Sequence, residues 1–510
     1  MMGVSFRAKA WRMILSSIVI SALLFLLATV SYIRFDFTED QVYSLSDSTK
    51  SMLEAIDEPI MIRAYLTPDL PQPYGRLSRF VEDMLHAYQQ AGGSSRVGFE
   101  VINPDSDPNT AASLAMLGIP KVQVQVIEDD QAQTKQGYLA VVIEYLDQKE
   151  VISVIQAEAG FEYHLTNKIK RLVQAKKKKI GVVNAYGSPS IAELKAFQEA
   201  IAADYELVDV NPEEEKLAGD IEALIVPGFK EEPSQEMRYA LDQFKLQNKG
   251  LMILASNAKA ALEQGFLVEP VQAKVNAWLQ DHGVMLESGL VLDRQAMRIR
   301  VNQQQGRIAF QTLVDYPFIP KMTEMDEKHV LSQGLESMTL AFASPLAWYH
   351  GATGSILLKT SDYSAVQNGP PFDVMPLTSM EQRFTGMQLQ QSAVILSTEG
   401  QSSSVFVDQS YTDREAHIAH AQHSRTLIVG SLSLLDDQFM DAENTLFVMN
   451  ALDWLVHDEA LIGLRSRGVT QRPLQNLESD TRAMWKAIWI FFLPMLLLAL
   501  GLWRWRALKA

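Results

Sequence analysis

At 510 residues the chain is too long for one ordinary hydrophobic core and implies two or three domains; its 47% apolar and 21% charged residues are those of folded protein. It contains no cysteine, which excludes disulfides, thiolate metal sites and a cysteine nucleophile. The formal charge is −16, and both termini are basic (Arg7, Lys9 and Arg12 within 1–12; Arg504, Arg506 and Lys509 within 504–510), so the body between them is more acidic still and its bulk surface repels nucleic acid and anionic lipid.

After the short tail 1–12, residues 13–33 read MILSSIVISALLFLLATVSYI without a charge. About 20 such residues suffice for a helix to cross a hydrocarbon core. The run is longer than a signal-peptide core and passes into Arg34-Phe35-Asp36 without an A-x-A cleavage site, so it reads as an uncleaved anchor.

The next stretch, 35–175, alternates strands and helices. Ser46-Asp47 can cap a helix that Glu58-Pro59 stops. There follow a strand at Ile60–Leu66, an amphipathic helix at Leu77–Gln90, a strand at Val97–Ile102, a short helix at Thr110–Leu117, strands at Val122–Ile127 and Tyr138–Tyr145, and a helix at Glu158–Gln174. This βαβαββα order resembles the thioredoxin fold, and NPDSDPNTAASLAMLGIPKVQVQV is similar to the stretch of that family in which a helix leads to Gly-Ile-Pro and a strand. The resemblance makes Ile119–Pro120 a candidate cis peptide. Where an oxidoreductase carries Cys-x-x-Cys, this chain has Leu70-Pro71-Gln72-Pro73-Tyr74, so the unit reads as a redox-inactive scaffold used for contact. Another α/β sandwich is the alternative.

Lys176-Lys177-Lys178-Lys179 reads as a solvated linker into a second unit, 180–469. Strands at Ile180–Asn184, Tyr205–Val210, Ile221–Val226 and Leu251–Leu254, with helices at Ile191–Ala202 and Met237–Gln247, indicate a parallel sheet covered on both faces. This resembles the class I glutamine amidotransferase-like fold, a flavodoxin-related sandwich. At the place of that family's nucleophile the chain reads Ala255-Ser256-Asn257; Ser256 is the one substitute, with no His and acid at the family's spacing. Gly187-Ser188-Pro189 opens a helix and could seat an anion, although a plain helix start is the simpler reading. From 291 to 399 the pattern is an irregular β-rich insertion of no assignable topology, with strands suggested at Ile299–Val301, Thr339–Ala343, Gly354–Lys359 and Ala393–Leu396. Arg425–Leu432 returns to a core strand and Thr445–Val456 to a helix. His417, His420 and His423 recur at three-residue spacing. On a helix such steps spread the imidazoles around the surface, so an exposed polar segment is the simpler reading and metal binding the alternative.

A polar linker, 470–484, leads to a second apolar run at 485–503, WKAIWIFFLPMLLLALGLW. Lys486 lies near its end and can snorkel, Trp485, Trp489, Trp503 and Trp505 suit the two interfaces, and Pro494 kinks a helix without forbidding it. Basic flanks place both termini in the cytoplasm and 35–484 outside it, which in a Gram-negative cell is the periplasm.

Several stretches together are similar to the GldG family, auxiliary subunits of ABC-type exporters. These are Phe35-Asp36-Phe37-Thr38-Glu39-Asp40-Gln41-Val42-Tyr43-Ser44-Leu45-Ser46, Asp57-Glu58-Pro59-Ile60, Phe161-Glu162-Tyr163-His164-Leu165-Thr166 and Lys179-Ile180-Gly181. Near the end, Asn450-Ala451-Leu452-Asp453-Trp454-Leu455 and Leu461-Ile462-Gly463-Leu464-Arg465 fit as well. The resemblance implies a non-catalytic subunit, without cofactor, metal or catalytic residues, that works with a separate ABC-2-type permease and a cytoplasmic ATPase. The chain has no Gly-x-x-x-x-Gly-Lys-Ser/Thr loop and so is not the motor. Ser16, Ser17, Ser21, Ala22, Ala28 and Gly501 are small positions suited to helix packing in the bilayer. The competing classes are an envelope-binding protein acting without an ATPase and a periplasmic hydrolase.

Overall fold

Strict alternation of buried Ile60, Ile62, Ala64 and Leu66 makes β1 (Ile60–Leu66) a strand with one face committed to a core. It belongs to a computed structural model that describes residues 42–466 apart from 129–130, 175, 215–216, 262–266, 306–307, 378 and 415, together with residue 16 and scattered positions between 481 and 506. The chain divides into two units, Met1–Val469 and Thr470–Ala510.

The first lobe of the first unit begins with α1 (Asp47–Glu54), capped by Ser46, whose hydroxyl accepts from the Thr49 amide. After β1 come α2 (Tyr74–Gly92), β2 (Val97–Ile102), α3 (Pro108–Met116, capped by Asp107), β3 (Val122–Glu128), β4 (Gln131–Gly137), β5 (Leu139–Tyr145), β6 (Gln148–Ile152) and α4 (Phe161–Val173). The sheet runs β2-β1-β5-β6, with β1 parallel to β2 and antiparallel to β5. Period-two geometry splits β5 between two cores. Leu139, Val141 and Ile143 pack with α1, α2 and α4, while Ala140 and Val142 pack with Leu114 of α3.

β3 and β4 form a separate two-stranded hairpin, and β4 (QAQTKQG) lacks the apolar alternation that would announce it. The Ile119–Pro120 bond is not among the cis peptides, which are Gln72–Pro73, Gly369–Pro370 and Pro370–Pro371. After Pro120 the chain leaves for that hairpin instead of turning directly into the main sheet.

In the second lobe, β7 (Lys178–Val183), α5 (Lys195–Ile201), β8 (Tyr205–Val210), β9 (Ile221–Val226), α6 (Gln235–Lys245) and β10 (Gly250–Leu254) follow in turn. A long hairpin of β11 (Ala296–Gln305) and β12 (Ile308–Met322) precedes β13 (Ala393–Ser403) and β14 (His420–Val429), and α7 (Ala442–Leu455) and α8 (Ile462–Ser466) close the lobe. Five strands are parallel in the order β8-β7-β9-β10-β14. Numbered along the chain they run 2-1-3-4-5, so the order reverses between β7 and β9. β13 continues the sheet antiparallel to β14. One face carries Val182, Met252, Leu427 and Val429 under Phe197 of α5 and Leu452 and Trp454 of α7; the other carries Leu224, Leu251 and Ile253 under Met237, Leu241 and Phe244 of α6.

The expected helix at Ile191–Ala202 is a short 3-10 turn, Ile191–Glu193, followed by α5. Within the expected strand Thr339–Ala343, only Thr339 is in a strand, Met338–Thr339. Of the lysine run, Lys176 and Lys177 are exposed between the lobes, as in a solvated linker, while the other two are not linker. Lys178 and Lys179 are already strand, and Lys179 pairs with Asp220 at 2.8 Å.

In the second unit the described positions from 481 to 496 are helical, and Trp485, Trp489, Phe491, Phe492 and Met495 are exposed. Among the described residues no helix is long and apolar enough to cross a membrane. The 13–33 span apart from Ser16, the linker positions 470–480, and both terminal tails except Arg506 lie outside the described residues, as does part of 485–503.

Candidate functional site

In an open parallel sheet the place to look for chemistry is the carboxyl edge, above all where strand order reverses. Here that edge is filled. Beyond β10 the Ser256 hydroxyl is buried, donates to the Phe342 carbonyl at 2.9 Å and lies 3.1 Å from Ser344 Oγ. Beyond β14, Ser431 Oγ donates to the Ala341 carbonyl at 2.7 Å and Ser433 Oγ accepts from the Ala341 amide at 2.9 Å. The segment 338–344 thus plugs the ends of both strands. A Cβ at Gly430 would stand 2.3 Å from the Ser344 carbonyl oxygen, so this approach requires glycine. At the reversal point Ser188 Oγ lies 2.7 Å from the carbonyl oxygens of Val183 and Ala185, and Ser190 and Glu193 form a capping box. Those groups are spent on the chain's own backbone, as a plain helix start requires.

The three histidines do not converge. The segment enters β14 as a strand, not a helix: His417 stacks on Tyr239 at 6.0 Å, His420 Nδ1 lies 2.9 Å from Ser403 Oγ, and the His423 amide donates to Asn248 at 2.9 Å. Among the described residues no group of three or more potential ligands is arranged for a metal.

The residues that do converge lie at the opposite, amino edge of the sheet, where the two lobes meet around a cavity of about 250 Å³. Arg465 of α8 is buried there. Its Nε donates to the Tyr163 hydroxyl of α4 at 3.1 Å, and its two terminal nitrogens donate to Asn450 at 2.6 Å and Asp453 at 2.7 Å of α7. The guanidinium also sits 5.3 Å from the Tyr163 ring centre. Asp453 accepts a second hydrogen bond from the Tyr205 hydroxyl. Burial pushes the carboxyl of Asp453 and the phenol of Tyr205 above their ordinary values. Burial also works against the Arg465 cation, but Asp453 and Tyr163 outweigh it and hold the guanidinium charged.

Around this pair the seam is ionic. Arg171 forks onto Asp204 at 2.7 and 3.1 Å, and Asp458 is shared by Lys170 at 2.9 Å and Lys178 at 3.3 Å. Burial alone would raise the Asp458 carboxyl, but the two ammonium groups bring it below its usual range. Lys177 donates to the Ala202 carbonyl at 2.6 Å and Lys178 to the Val456 carbonyl at 3.2 Å, so the lysine run caps the ends of α5 and α7. The four lining carboxylates face six basic side chains, so the seam keeps a small excess of positive charge that the carbonyl dipoles partly offset.

The same helix α4 holds the start of the lobe. Glu162 accepts from the Ser46 amide and the Thr49 hydroxyl, both at 2.7 Å, and Tyr43 donates to Glu158 at 2.6 Å just before the helix. Tyr43 to Ser46, Glu162, Tyr163, Asn450, Asp453 and Arg465 all stand in stretches that the sequence reading singled out, yet none was singled out as a site residue. Their spacing of up to 302 residues hides the convergence.

The sequence family described as ABC-type uncharacterized transport system matches residues 177–456. The chain belongs to that family. A domain of unknown function (DUF7088) matches 39–144, so the two matches flank the seam. A relative in Borreliella burgdorferi, named Uncharacterized protein, is 22% identical over 498 residues and 94% of each chain is covered. Solved structures similar to this member of the transport-system family include the mmIFT52 N-terminal domain (13% identity, TM-score 0.34, 54% of this chain and 97% of that one). A ThuA-like protein of Parabacteroides merdae is another (10% identity, TM-score 0.26, 60% and 94%).

Proposed function

We propose that this chain is a membrane-anchored, non-catalytic auxiliary subunit of an ABC-type transport system, of the GldG kind. It works with a separate ABC-2-type permease and a cytoplasmic ATPase. Two helices, 13–33 and 485–503, anchor it with both termini in the cytoplasm and present the two lobes as a platform outside the inner membrane. The strand order β2-β1-β5-β6 supports a thioredoxin-like first lobe, and the 2-1-3-4-5 order an amidotransferase-like second lobe.

One observation carries the reading. Each place where these folds would do chemistry is filled or lacks the reacting group, while the segments next to both anchors are tied to one helix, α4, through Ser46–Glu162 and Arg465–Tyr163. That arrangement suits transmission of movement better than turnover. Mass spectrometry of what accompanies the tagged full chain out of mild detergent tests it. A permease and an ATPase are expected. Their absence, with envelope components in their place, would favour a scaffold acting without an ATPase.

A further inference from the structure

We propose that the two lobes hinge about the chain crossing between α4 and β7 and are held closed by Arg465 acting as a latch. Four observations lead there. Among the described residues, none of the five buried apolar clusters contains residues of both lobes: two lie within 42–173 and three within 180–462. What joins the lobes is therefore largely polar, the kind of interface across which domain motion is the default expectation. Among the described residues the chain crosses between the lobes once, after α4 ends at Val173 and before β7 starts at Lys178. Gln174, Lys176 and Lys177 of the crossing line the cavity, so bending there breaks little packing beyond the Lys177–Ala202 bond.

The fourth observation identifies the latch. Arg171–Asp204 and Lys170–Asp458 span the seam on partly exposed side chains, where solvent weakens them. Arg465 spans it from a buried position, bonded to Tyr163 on one side and to Asn450 and Asp453 on the other. It lies in α8, the last described element before the linker 470–484. A pull on that linker acts first on α8, drawing the guanidinium from Tyr163 and freeing the lobes to rotate. That a membrane helix supplies the pull rests on the auxiliary-subunit reading. The hinge and latch do not.

The absence of cysteine makes the test direct. Spin labels at Gln90→Cys in the first lobe and Glu232→Cys in the second, both exposed positions, report the inter-lobe distance in the detergent-purified full chain, with no partner present. The unaltered latch is expected to give one dominant, narrow distance. Tyr163→Phe removes the acceptor of the Arg465 bond, together with a long 3.4 Å contact from Asn167 of the same helix, and should raise a second, displaced population about tenfold. Arg465→Lys, which keeps the charge and loses the fork, should do the same. One unchanged narrow distribution in both variants, each shown folded by its thermal transition, would overturn the latch. A broad distribution already present in the parent chain would overturn the closed state.

Discussion

Arg465 and Tyr163 stand 302 residues apart in sequence and 3.1 Å apart in the fold, with the guanidinium both hydrogen-bonded to the phenol and lying over its ring. The same guanidinium forms an ion pair with the buried Asp453 carboxylate at 2.7 Å. Removing a buried cation strands its anion, which costs about 3–5 kcal/mol, whereas removing both members costs far less. Arg465→Met should therefore destabilise the first unit by that order in urea denaturation of the full chain in detergent. Arg465→Met with Asp453→Asn should recover most of the loss. Additive losses in the double variant would mean that the pair is not coupled.

Glu162 offers a local version of the same test. It is buried and accepts from the Ser46 amide and the Thr49 hydroxyl, while Thr49 also meets Thr166 at 3.1 Å and Tyr88 meets Thr166 at 2.5 Å. Glu162→Ala takes the acceptor from the Ser46 amide and leaves the Thr49 hydroxyl only Thr166 to donate to, at a cost of about 1–3 kcal/mol for the buried amide. Hydrogen exchange should quicken in α1 first and leave β7 to β10 unchanged. A uniform loss of protection would show that α1 does not open independently.

Ser256 is committed to the backbone of 342 and the hydroxyl of Ser344. Ser256→Ala is expected to cost about 1–3 kcal/mol of stability, as for other buried groups left unsatisfied, and to leave any amide or ester turnover of the purified chain at background. A hydrolytic rate abolished by that one substitution would restore the hydrolase reading.

His282 gives the fold a pH dependence with a definite sign. It is buried against Trp278 with no hydrogen-bond partner on either ring nitrogen, and burial together with Lys245 and Arg238 holds it well below its ordinary value. Because the folded value is depressed, the unfolded chain binds the extra proton first as pH falls. Stability is full above about pH 6.5 and declines below it. His282→Phe should flatten that decline in denaturation midpoints between about pH 7 and 5. An unchanged slope would assign the dependence to other groups.

Much of the first lobe is legible from its alternating apolar positions: β1, α2, β2 and β5 stand where Ile62, Val81, Leu85 and Val141 place them. β4 is not, because its sequence QAQTKQG carries no apolar alternation that could announce its pairing with β3. The irregular middle of the second lobe is opaque for a related reason. The plug at 338–344 is held by serine hydroxyls and backbone carbonyls, which have no periodicity. Tyr163, Asp453 and Arg465 were visible as letters of separate stretches. Only the fold shows that they touch, since a salt bridge over such a loop leaves no local mark.

The last prediction concerns where the chain meets its partners. In the proposed arrangement, coupling to an ATPase passes through a permease, within the bilayer or just outside it. The contact lies on 13–33, 485–503 and the adjoining segments, with Ser16, Ser21 and Gly501 among the small positions that admit close helix approach. Replacing both apolar segments by unrelated ones of equal length should leave the Tyr163–Arg465 seam intact, read by the same spin-label distance. It should abolish co-purification of the permease and transport together. Association and transport at the level of the parent chain would reduce the helices to anchors and move the partner surface onto the lobes themselves.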